Sequence, residues 1–167
     1  MRIPAAGLAA VLVAACGGGG GGGTPPATLP ARLTAPAVEF AAGVDMAQLV
    51  VELQASTDSG AALAEVVIEL PAGVTVAAGA ALQAAQPVVT LDGKLSGDRY
   101  KVLVGDARNS NAAALPSGSL FRLQLVTTAP RQRGTHTLRL LEARIAARDG
   151  APVDVDPAPS EVPITIR

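Results

Sequence analysis

The residue types able to do chemistry are few in this chain. They are a lone cysteine, Cys16, a lone histidine, His136, the glutamates Glu65 and Glu69, and the aspartates Asp149, Asp154 and Asp156. A thiol or an imidazole needs a partner to act as nucleophile, base or metal ligand. No G-x-S-x-G elbow, H-E-x-x-H helix motif or Cys/His metal spacing supplies one. His136 runs in phase with Leu138 and Leu140. That phase predicts a packed ring, or one at the end of the domain, rather than a catalytic base. Glu65 and Glu69 stand four residues apart on one strand face, about 13 Å at the strand rise. A glycosidase pair requires roughly 5–9.5 Å, so these two predict a solvated sheet face. Asp149, Asp154 and Asp156 gather near one turn and offer oxygen ligands to a hard cation, but their spacing matches no calcium loop. The polar run Asp106-Ala107-Arg108-Asn109-Ser110-Asn111 reads as a surface loop. No catalytic, cofactor-binding or metal-ligating residue is assigned, and the chain is expected not to be an enzyme.

The elements that position these residues begin with a leader. Met1 and Arg2 form a short positive start, and residues 3–15 are apolar and rich in Ala, Leu and Val. That run is too short for a span of about 20 residues, but it suits the apolar region of an export signal. Val13-Ala14-Ala15-Cys16 closes it, and seven glycines occupy positions 17–23. The arrangement resembles a bacterial lipoprotein signal with its lipobox. The resemblance implies cleavage before Cys16, a lipidated (diacylglyceryl, commonly palmitate-bearing) Cys16 and a stable membrane anchor. A single acyl chain binds only marginally, whereas two or three hold. Gly17 instead of Asp at the next position favours the outer membrane if the cell has one. Residues 16–36 then read as a flexible tether: glycine cannot pack, and Pro25, Pro26, Pro30 and Pro36 favour extended, unpaired backbone. Its mean reach is roughly 25 Å.

Residues 37–167 remain for one domain with a real core. Without Arg2 the mature chain carries 12 basic and 14 acidic side chains, a balance of −2 that supports neither nucleic-acid nor electrostatic membrane binding. Aromatics are scarce (Phe40, Tyr100, Phe121 and no Trp), so the core must be largely aliphatic.

From residue 44 onward the hydrophobic period is two. Leu49, Val51 and Leu53 share a face, as do Val66, Ile68 and Leu70, then Tyr100, Val102 and Val104, then Phe121, Leu123 and Leu125. Each set predicts a half-buried strand of an antiparallel sheet. Residues 135–146 hold Leu138 and Leu140 in one parity and Leu141, Ala143 and Ile145 in the other, so a β-bulge is expected near 140–141. Val162, Ile164 and Ile166 predict a last strand, with Pro163 at an edge or a ladder gap. Turns are expected at Asp58-Ser59-Gly60, Pro71-Ala72-Gly73, Asp92-Gly93, Gly97-Asp98, Pro116-Ser117-Gly118 and Asp149-Gly150. Residues 77–85 hint at a helical turn. Many short strands with regular turns predict a β-sandwich.

Several segments carry a second resemblance. Val66-Val67-Ile68-Glu69-Leu70-Pro71-Ala72-Gly73-Val74 runs a strand into a Leu-Pro turn. Lys101-Val102-Leu103-Val104-Gly105 is similar to a central strand, and Gly118-Ser119-Leu120-Phe121-Arg122-Leu123-Gln124-Leu125 to a glycine turn leading into alternating large residues. Gly134-Thr135-His136-Thr137-Leu138-Arg139-Leu140, followed by Asp149-Gly150-Ala151-Pro152-Val153, is similar to a long strand and the turn before the last one. Residues 46–167 thus resemble the cohesins, a family that shares its nine-stranded jelly-roll sandwich with some carbohydrate-binding modules. The resemblance implies protein binding or scaffolding at the cell envelope. A carbohydrate-binding module is the alternative, but sugar stacking needs exposed aromatics, and Tyr100 and Phe121 are expected to face inward.

Overall fold

The computed structural model describes residues 31–55, 60–108, 114–155 and 160–167. Cys16, the leader, most of the tether, Asp58, Ser59, Asn109, Ser110, Asn111 and Asp156 lie outside these residues. Two sheets pack face to face. The five-stranded sheet runs β1 (Arg32–Thr34), β3 (Met46–Gln54), β9 (Gly118–Thr127), β5 (Val74–Val76), with β6 (Leu82–Ala84) also on β9. The seven-stranded sheet runs β2 (Val38–Phe40), β12 (Ser160–Ile166), β10 (Gly134–Ala147), β4 (Ala61–Glu69), β8 (Arg99–Asp106), β7 (Val89–Ser96), with β11 (Pro152–Val153) also on β10. All strand pairs are antiparallel except β2–β12, which is parallel.

Alternation builds the core. Leu49, Val51 and Leu53 of β3 and Leu123 and Leu125 of β9 face Val66, Ile68, Val102, Leu138 and Ile164 of the other sheet, all fully buried. Among the described residues the buried side chains are aliphatic or aromatic, and the Tyr100 hydroxyl is the one side-chain polar group they carry. The expected bulge is present: pairing passes from Leu140↔Ile68 to Glu142↔Val67, skipping Leu141. A second bulge occurs in β9, where Val51↔Phe121 is followed by Glu52↔Ser119. The skipped residue there, Leu120, joins Phe121 in the core. Pro163 precedes the three residues at which β12 also pairs with β2, so its missing N–H falls where the ladder is one-sided.

Three expectations need correction. The tether ends earlier than residue 36. Ala31 and Leu33 are buried, and β1 pairs with β3 from Arg32↔Gln54 to Thr34↔Glu52. The folded domain therefore includes residues 31–36, ahead of the expected boundary at 37. Pro36 does not mark a tether; it separates β1 from β2, letting the chain leave one sheet for the other. Asp92-Gly93 is not a turn but the middle of β7, opposite Leu103 and Val102. The chain reverses at Gly97-Asp98 instead, between Ser96 and Arg99, with Gly97 at φ 63°. Glycine first in a two-residue loop is the type II′ pattern. That reversal also keeps Leu91 and Leu95 opposite Val104 and Tyr100, on the core side. Finally, residues 77–85 form no helical turn; Leu82–Ala84 is strand β6.

Candidate binding face

The outward residues of β7, β8, β4 and β10 form one continuous surface. Because Ala64, Val66 and Ile68 turn inward on β4, Leu63, Glu65, Val67 and Glu69 turn outward. Arg99, Lys101 and Leu103 do the same on β8. The register sets Leu103 beside Glu65, Lys101 beside Val67 and Arg99 beside Glu69. β10 adds Arg144 opposite Glu65 and Ala146 opposite Leu63.

This surface divides into two ends. At one end Lys101 Nζ lies 2.8 Å from Glu65, and Arg99 and Arg139 lie 3.9 and 3.7 Å from Glu69. Arg139 also approaches Glu161 at 3.4 Å. At the other end Leu63 and Leu103 are 49% and 45% exposed. With Ala146, Pro152, Val153 and Val155 they line a groove of about 820 Å³, to which Glu65, Arg144 and Asp154 add charge. A second hollow of about 330 Å³ shares Leu63 and Leu103 and continues the groove to Thr90 and Asp92 on β7. Beyond β8, Arg108 grips both carboxylate oxygens of Asp106 and donates to the carbonyl of Ala114, while Arg148 donates to the carbonyl of Arg108. This clamp ties the segment after β8 to the end of β10. The hydrogen bond from Arg108 holds the Asp106 carboxyl below the usual carboxylate range.

The residues singled out in the sequence fall as follows. Glu65 and Glu69 are on the solvated face as expected, neutralised by Lys101, Arg99 and Arg139. His136 is half-buried at the far end of β10, with Nε2 3.1 Å from the carbonyl of Gln132. It stands nine positions before Ile145 at the groove, about 30 Å along a strand. Asp149 accepts a hydrogen bond from the Ala151 N–H and so caps its turn. Asp154 is at the groove, and Asp156 is outside the described residues. Among the described residues no three His, Cys, Asp or Glu converge. Phe40, Tyr100 and Phe121 are all buried, and no aromatic side chain lies on the face. Sequence reasoning missed Leu63 and Leu103. The signal was there: both occupy the outward parity of strands whose inward parity is already apolar.

No family model matches this sequence, and no curated protein is similar to it in sequence. Solved structures do resemble it. A non-cellulosomal cohesin from the hyperthermophilic archaeon Archaeoglobus fulgidus superposes with a TM-score of 0.64 at 20% identity, covering 83% of this chain and 92% of that one. A cohesin module from a family 33 glycoside hydrolase of Clostridium perfringens superposes with a TM-score of 0.64 at 16% identity, covering 84% and 100%. A type I cohesin of Clostridium thermocellum, solved in complex with a dockerin, gives 0.62 at 15% identity, covering 83% and 100%. The domain has the cohesin fold, a jelly-roll β-sandwich.

Proposed function

We propose that this chain is a lipid-anchored envelope protein whose cohesin-fold domain binds another protein through the outer face of β7, β8, β4 and β10. The observation that carries the reading is the contiguous apolar groove around Leu63 and Leu103, beside the charge-paired end of the same face. Exposed apolar surface of this kind marks an interaction site. A protein partner fits because several similar structures are cohesins solved with dockerins. It also fits because a sugar ligand would have no aromatic platform to stack on, so polysaccharide is not the preferred ligand. The domain is read as a binding module, as are the cohesins that share its fold. Cys16 and the glycine run supply placement: the lipid holds the chain in the membrane, the outer one in a Gram-negative cell, and the tether presents the domain.

Two experiments test this. Cys16→Ala should move the protein from the membrane pellet to the soluble fraction; retention in the pellet contradicts the anchor. For binding, the domain is used to capture material from envelope extract, beside a Leu63→Asp, Leu103→Asp variant. A protein held by the wild type and lost by the variant supports the reading. Recovery of polysaccharide without protein, or capture that the variant leaves unchanged, overturns it.

A further inference from the structure

β7 differs from the other edge strands. Sheets protect their edges by keeping them short, bulged or interrupted by proline. Here β1, β2, β5 and β6 have three residues each and β11 has two. β7 has eight, pairs with β8 along its whole length without a bulge, and among the described residues is unpaired on its other side.

The hairpin fixes which groups point to that open side. Ser96 and Arg99 flank the two-residue turn and exchange both ladder bonds. By alternation Lys94, Asp92 and Thr90 also bond to β8, so Leu95, Gly93 and Leu91 aim their N–H and C=O groups outward. Pairing between residues of this kind is possible when β7 meets an antiparallel copy of itself. Centred on Gly93, the pairing sets Gly93 against Gly93, Leu91 against Leu95, and Asp92 against Lys94. The last contact occurs twice by symmetry. Moving the centre by one residue keeps the ladder but sets Lys94 against Lys94, or Asp92 against Asp92. The charges therefore select one register. Asp92 and Lys94 are both exposed, and neither makes an ion pair within the chain among the described residues. Leu95, 40% exposed on the core side of the strand, gains a leucine neighbour in the same register.

We propose that β7 joins a second copy of this chain edge to edge, antiparallel and centred on Gly93. The interface is isologous, with a two-fold axis perpendicular to the sheet. The two seven-stranded sheets become one, and both outer faces open on the same side. Because the hollow beside the groove reaches Thr90 and Asp92, the seam borders both grooves.

The test uses the full chain kept in solution by Cys16→Ser, examined by sedimentation equilibrium over a range of concentrations. A dimer is expected. Lys94→Asp and Asp92→Lys should each weaken it roughly tenfold or more, because each places two pairs of like charges across the seam. The double variant Asp92→Lys, Lys94→Asp restores complementarity and should restore the dimer. Both side chains are exposed, so thermal unfolding of the single variants should stay close to that of the parent. A zero-length carbodiimide should join Asp92 of one copy to Lys94 of the other. The assignment is simple because Lys101 is the one other lysine. A monomer at every concentration overturns the proposal. So does a dimer indifferent to either single substitution, or a double variant that fails to recover.

Discussion

The two ends of one sheet face use the same strands for opposite purposes. At the charged end, outward positions of β4, β8 and β10 hold Glu65, Glu69, Lys101, Arg99 and Arg139, and these groups satisfy one another. At the apolar end the same strands hold Leu63, Leu103 and Ala146, and nothing among the described residues covers the leucines. Ion pairs on a surface contribute little to stability, commonly below about 1 kcal/mol each. Their presence keeps one end soluble and indifferent, while the other retains apolar surface that burial in a complex would stabilise. A sheet can thus confine its adhesive area to a few positions without changing its fold.

The largest effect should come from abolishing the difference between the ends. Leu63→Asp together with Leu103→Asp should weaken partner binding by roughly 30-fold or more, as loss of a central apolar anchor does. Lys101→Ala, at the charged end, should change affinity by less than about fivefold, as rim charges do. Titration of the partner into each variant separates the two.

The layer beneath the face comes next. The Tyr100 ring crosses Gly93, and a Cβ placed there would clash with the Tyr100 hydroxyl and stand 2.8 Å from Leu82. Gly93→Val should therefore cost about 1–3 kcal/mol in denaturant unfolding, whereas Leu63→Ser on the exposed side should cost less than about 0.5 kcal/mol. A smaller effect is expected from Glu69→Ala, which leaves Arg99 and Arg139 without their shared carboxylate. It should lower stability by at most about 1 kcal/mol in dilute buffer, and by less in concentrated salt.

Two pH effects are smaller still. The Asp106 carboxyl is held low by Arg108, so its contribution is complete above the ordinary carboxylate range and disappears as pH falls through its folded-state value. Asp106→Asn should remove that part of the acid dependence. Burial, aided by the Asp92 charge, raises the Tyr100 hydroxyl. The unfolded chain then loses this proton first, stability declines once pH exceeds about 10, and Tyr100→Phe should flatten the decline.

Much of this architecture was legible in the sequence because the strands bury one face and expose the other. The two parities of residues 135–146 even located the bulge at Leu141. What escaped had long-range causes. β1 has little pattern of its own; Arg32, Leu33 and Thr34 are strand residues because β3 lies ready to pair with them, and Ala31 is held by a bridge to Val155. Asp92-Gly93 has turn chemistry, but the phase of Leu91 and Leu95 against Val104 and Tyr100 outweighs it. The charged end of the face was readable from Glu65 and Glu69. The apolar end was legible only as strand parity, a weak signal, because Leu103 sits between two inward valines and looks like more of the same core.

The most direct test of the binding face is methyl NMR of the leucines and valines while a captured partner protein is added. Shift changes are expected to concentrate at Leu63, Leu103 and Val153. Changes confined to Val44 and Val50, on the five-stranded sheet's side, with Leu63 and Leu103 unmoved, would contradict that expectation.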